Sequence, residues 1–168
     1  MAQCCSTAHG GSALAACYTA VMTSLSDYGP LFRDAYATLH GGHTDEPPSD
    51  SGRRPDESLE EFLARSRGAA LGRLRGRLES AEPPKDLRNA HGLLVRLLTC
   101  AAEADAALAA QVGAYRCGNF QGSISHSDRL HSIVSESSHL DRELIVALRE
   151  AEEGTLEALD IEEIEQTS

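Results

Sequence analysis

The sequence predicts an all-α protein folded as an antiparallel up-down four-helix bundle, and three observations predict it. Ala and Leu supply 45 of the 168 residues while Val and Ile supply only 10. Ala and Leu lose little conformational freedom in a helix, whereas β-branched residues favour strands. Apolar residues also recur at spacings of three and four within separate stretches, the period of a helix face. Finally, the stretches are divided by Gly, Pro and Ser clusters, two of them short enough to make successive helices antiparallel neighbours.

Residues 1–11 carry no periodic pattern and read as a flexible arm without the basic start of a signal peptide. The bundle is expected over 12–153. Its first helix carries the stripe Leu14, Tyr18, Val21, Leu25, Tyr28, Phe32, Ala35 and Leu39. Gly29-Pro30 interrupts the stripe without changing its phase, which predicts one helix kinked near Pro30. Residues 41–56 (GGHTDEPPSDSGRRPD) offer almost nothing to bury and read as a mobile loop.

Ser58 and Glu61 form an S-x-x-E capping box that starts the second helix, and Glu82-Pro83-Pro84 stops it near Ala81. Pro84 suits the first turn of the third helix. That helix carries Leu87, His91, Leu94, Leu98, Ala101, Asp105, Leu108, Val112 and Tyr115 on one seam. Gly118-Asn119 supplies a stop and then a cap. The fourth helix begins between Phe120 and Ser125 and buries Leu130, Ile133, Val134, Ser137, Leu140, Leu144, Leu148 and Ala151. Residues 154–168 form an acidic tail in which Thr155 can cap a short helix.

Charge and composition exclude several functions. The net charge is -11, and eight acids without Arg or Lys fall between Glu150 and Ser168. An acidic chain is a poor general ligand for nucleic acid. Aromatic residues are 4% with no Trp, which argues against a base-stacking platform. No apolar run reaches the roughly 20 residues that cross a bilayer. The five cysteines contain no C-x-x-C pair, which fits a reducing, cytoplasmic setting better than a disulfide framework.

Two features carry functional expectations. In the second helix Gly68, Gly72 and Gly76 recur every fourth residue, and each interior Gly costs roughly 1 kcal/mol relative to Ala. Small residues let another backbone approach, and Arg65, Arg73 and Arg75 flank the stripe. With Leu63, Ala70, Leu74 and Leu78 taken as the apolar face, the glycines fall opposite and form an interaction surface. The competing explanation is the codon bias of a GC-rich gene. The second feature is a pair of polar residues on the third-helix seam, His91 and Asp105. About four turns apart on one helix, they cannot share a metal ion. Each is either a buried register-setting residue or part of an interior ligand site.

Glu136-x-x-His139 has the spacing of a di-metal carboxylate motif. It lacks a second copy, and the phase of Leu140, Leu144 and Leu148 turns it towards water, so no metal site is expected. No Gly-rich phosphate loop, nucleophile elbow or His-Glu-x-x-His motif is present, and no residue pattern supports an enzyme or calls for a cofactor. The leading expectation is a non-enzymatic protein-interaction or homo-oligomerisation module, its partner a protein or a second copy. A small ligand or metal held in the bundle interior near His91 comes second. A nucleic-acid-linked regulator using the Arg-rich second helix comes third.

Overall fold

The computed structural model describes residues 28–40 and 52–151. Every regular element among them is helical: α1 over 28–40, α2 (Leu59–Glu79), α3 (Arg88–Arg116) and α4 (Phe120–Arg149). The N-terminal arm, the first half of the predicted first helix, residues 41–51 and the acidic tail lie outside the described residues. Gly29 and Pro30 are themselves helical. The limb that would show a kink precedes Tyr28 and is therefore outside as well.

Local chemistry sets the boundaries. Ser58 Oγ accepts from the Glu61 amide at 3.1 Å, and Glu61 Oε2 accepts from the Ser58 amide at 2.7 Å, which closes the capping box. α2 ends at Glu79, two residues before the predicted stop. α3 does not start on Pro84. Pro84 is extended (φ -52, ψ 150) and caps a 3-10 turn, Lys85–Leu87, before the α-helix begins. The turn places Leu87 in the core, where it is fully buried.

The α3–α4 corner follows from three residues. Gly118 is left-handed (φ 73), a conformation open to Gly without steric cost. Its amide donates to Tyr115 O at 3.0 Å, and the Asn119 amide donates to Ala114 O at 2.9 Å, the paired bonds of a Schellman stop. Asn119 Oδ1 then accepts from the Gly122 amide at 2.9 Å, so the cap of α4 follows directly on the stop of α3.

Cross-connections run in opposite senses between chain neighbours. Arg96 reaches Glu136 and Arg129 reaches Glu103, each at 3.5 Å, as α3 ascends past a descending α4. Between α2 and α3 the pairs are Glu61 with Arg116 and Arg67 with Asp105. α1 touches all three: Tyr28 meets His91 of α3, Asp34 meets Arg77 of α2, and His40 meets Asp141 of α4.

Phe32, Leu71, Leu78, Leu94, Leu98, Leu140, Leu144 and Leu148 are fully buried together. They fill the half of the molecule over which α1 lies. The face of α2 turned inward therefore centres on Leu71, not on the expected set. Of that set Leu78 is buried, Leu74 and Ala70 are half-buried and Leu63 is exposed. Val134, placed on the α4 core stripe by its spacing, is also exposed, because Ile133 takes the inward position beside it.

Candidate functional site

The arginines of α2 are mostly engaged within the chain. Arg65 grips Glu57 with two bonds, at 2.7 and 2.9 Å, and donates to Gly52 O at 2.9 Å. The bonds from Arg65 hold the Glu57 carboxyl down at about 2. Arg116 donates to Asp56 O at 3.0 Å, so residues 52–56, expected as part of a mobile loop, are fastened to α2 and α3. Arg67, Arg75 and Arg77 stand 3.6, 3.5 and 3.7 Å from Asp105, Glu79 and Asp34. Among the described residues, four of the five arginines in the basic stripe are thus offset by acids, Arg73 being the exception, which reduces the positive field available to a phosphate backbone.

The glycine stripe divides in the structure. A Cβ on Gly68 would lie 3.7 Å from Ala102 O and from Asp105 Cβ, so Gly68 stands in the α2–α3 contact. Gly72 and Gly76 have no neighbouring heavy atom within 4 Å of that position and face outward. At about 100° per residue Gly68 is only about 60° from Leu71, and each later glycine rotates further from the core. Arg65 and Gly68 border an outer α2–α3 groove of about 510 Å³ floored by Ala64, Ala102, Ala106 and Ala109. Arg73 and Arg75 lie beyond it on α2. The six residues of the expected interaction surface therefore spread over two faces.

His91 and Asp105 have separate surroundings. The Tyr28 hydroxyl lies 2.8 Å from His91 Nδ1. Burial raises the phenol's pKa and lowers that of the imidazole, so a protonated phenol and a neutral ring share this hydrogen bond. His91 lines neither the α2–α3 groove nor the cleft beside Asp105.

Asp105 is only 7% exposed. Its Oδ1 faces Arg67, while its Oδ2 is buried without a hydrogen bond. Burial raises the carboxyl's pKa, and Arg67 partly counters it. Asp105 lies on the wall of a second cleft, about 310 Å³, at the end of α1. Leu39 and His40 of α1, Cys100 of α3, and Ser137 and Asp141 of α4 share that wall. His40 Nε2 lies 3.3 Å from Asp141 Oδ1, at ion-pair distance but off the line of a hydrogen bond. Tyr36 packs on the His40 ring with centroids 4.3 Å apart. Sequence reasoning placed His40 at the mouth of a loop and missed this cleft, which four separate segments build.

Glu136 and His139 are exposed and bound elsewhere, to Arg96 at 3.5 Å and to Glu143 at 3.4 Å. Among the described residues no three His, Cys, Asp or Glu side chains converge as metal ligands.

A further feature lies beyond the end of α1. The α3 seam is buried at Leu94 and Leu98, but Leu108 is 39% and Tyr115 is 64% exposed. Across the corner Phe120 and Ile124 of α4 are 62% and 55% exposed, and the Tyr115 and Phe120 rings meet edge to face at 5.7 Å. One continuous stripe is covered by α1 over its first half and is open over its second.

Among the described residues no helix is long and apolar enough to cross a membrane. Compared with protein-family models, curated proteins and solved structures, the chain matches none of them.

Proposed function

We propose that this chain is a non-enzymatic helical interaction module: an up-down four-helix bundle that self-associates through the open half of its α3 seam. The observation that carries the reading is the exposure of Leu108, Tyr115, Phe120 and Ile124 where the cover given by α1 has ended. Contiguous apolar surface of this kind marks association sites.

The occupant is a second copy. Residues 41–51, which follow α1, contain no Leu, Ile, Val, Met, Phe, Tyr or Trp and so offer no large apolar side chain to the stripe. The rim is charge-balanced, with four Arg and four acids between residues 52 and 70, and further pairs in Arg116–Glu61 and Arg129–Glu103. A two-fold axis through the stripe sets Leu108 and Ile124 of each copy against the other, as a self-complementary interface requires.

Sedimentation equilibrium over a wide concentration range tests the proposal. The native chain should be a dimer, and Leu108→Glu should be a monomer with unchanged helical circular dichroism. A native chain that stays monomeric, or a Leu108→Glu dimer of undiminished affinity, overturns it.

A further inference from the structure

α1 and the α3 seam share one spacing. The core-packed positions of α1 are Tyr28, Phe32, Ala35 and Leu39, at steps of four, three and four. The seam beside them is His91, Leu94, Leu98 and Ala101, at steps of three, four and three. Each set recurs 14 residues away in its own segment. Leu14, Tyr18, Val21 and Leu25 repeat the spacing of α1, and Asp105, Leu108, Val112 and Tyr115 repeat that of the seam.

The α1 set lies on the first seam set: Tyr28 meets His91 at 2.8 Å, and Leu39 shares a cleft wall with Ala101. The second seam set has no such cover among the described residues. Asp105 is buried and Val112 half-buried, but Leu108 and Tyr115 are exposed. α2 shows the same division. Arg77 meets Asp34 of α1, and Leu63, 14 residues earlier, lies within about 40° of Arg77 on the helix. Leu63 is nevertheless 40% exposed. The open half is therefore a groove with apolar side chains on both α2 and α3, of the kind that α1 fills in the other half.

Reach decides whose segment can fill that groove. Laid as a helix along Leu108 to Tyr115, residues 14–25 would hold Leu25 at least 17 residues of α3 from His91, about 25 Å. The three residues from Leu25 to Tyr28, which is fixed beside His91, span at most about 11 Å. Such a helix cannot cover the seam of its own chain, whichever way it points. Residues 12–26 also carry no charged side chain, which suits an apolar groove with a charge-balanced rim. We propose that the dimer is an exchange: residues 14–25 of each copy lie as a helix in the open half-groove of the other. This rests on the reading of that half-seam as the self-association surface, and it names what the second copy lays there. Each copy gives one segment and receives one, which closes the pair.

The test compares Val21→Glu with Leu108→Glu in the full chain by sedimentation equilibrium. Val21→Glu should weaken the dimer at least about a hundredfold, about tenfold at each of two equivalent sites. A synthetic peptide of residues 12–27, added in excess to the native chain, should convert the dimer to monomer. The same peptide with Val21→Glu should not. The peptide acts on the native chain, so the outcome does not depend on how a variant folds. A Val21→Glu dimer of undiminished affinity, or a native dimer that the peptide leaves intact, overturns the exchange. If Leu108→Glu is then still monomeric, the seam remains the self-association surface and the two stripes meet directly. If the native chain is monomeric, or Leu108→Glu dimerises as the native chain does, that reading falls and the exchange with it.

Discussion

Asp105→Asn takes a charge out of the interior while keeping the shape of the side chain, and its effect on stability has two opposed parts. The buried carboxylate has one oxygen unsatisfied, and such a group costs about 1–3 kcal/mol. Against this stands Arg67 at 3.6 Å, half-exposed, a pairing that contributes about 0.2–1 kcal/mol. Asn keeps an oxygen for Arg67 and leaves a neutral NH2 in place of the charged, unpaired Oδ2; because a buried charge costs more than a buried neutral polar group, the variant should be more stable at neutral pH by about 1 kcal/mol. For a chain of this length that is a rise of about 2–4 °C in Tm. The pH dependence fixes the cause. Burial raises the Asp105 carboxyl above its ordinary 3.8, so the folded state holds the proton more tightly than the unfolded state does. The stability this provides is complete below 3.8 and is lost as pH rises through the raised value. The difference between variant and native chain should therefore be small near pH 4 and grow towards pH 7. Urea unfolding followed by circular dichroism at a series of pH values measures it. A variant less stable than the native chain at pH 7, by a margin that widens with pH, would refute the reasoning and make the Asp105–Arg67 pair a net stabiliser.

Two further outcomes follow from the core and from the α1–α3 contact. Leu94→Ala, at a fully buried position, should cost about 3–5 kcal/mol in the same urea assay, and a loss below about 1 kcal/mol would mean that the cavity collapses. Tyr28→Phe removes the hydroxyl at His91 Nδ1 and should cost about 1 kcal/mol. Because burial holds the His91 pKa below its ordinary 6.5, the native chain loses stability as pH falls through that value. Without the phenol to bond its neutral form, His91 should titrate at higher pH in the variant, which proton NMR of the imidazole reads directly.

Much of the helical organisation was legible because local rules dominate it. The capping box at Ser58 and Glu61, the stop at Gly118 and the cap at Asn119 each require only a few consecutive residues, and each forms as the sequence implies. Asp105 was legible as a buried polar residue because the long α3 seam made its phase unambiguous. The inward face of α2 was not. Its Ala, Gly and Arg residues give a weak stripe, and leaving Leu71 out turned the chosen face by about 65°. The arginines misled for a related reason, since the acidic partners of Arg65, Arg67 and Arg77 lie on other helices or on residues 52–58 and only Arg75 is paired within α2. The cleft beside Asp105 and the open half of the seam are further from reach. Both depend on where α1 ends relative to the other three helices, a relation that no stretch of sequence contains.

The contacts of α1 also set an order of events in folding. The α2–α3 and α3–α4 pairs close over short turns, whereas Tyr28 and His91 are separated by 63 residues. Bringing such distant segments together costs more chain entropy, and contacts of that kind form late. On that ground α1 should dock last, onto α2–α4 already assembled, and should be the first to leave. A chain that lost α1 would bare the Leu94, Leu98, Leu140 and Leu144 strip along with the stripe beyond it. Changes on the inner face of α1 therefore act on how fast the chain unfolds far more than on how fast it folds.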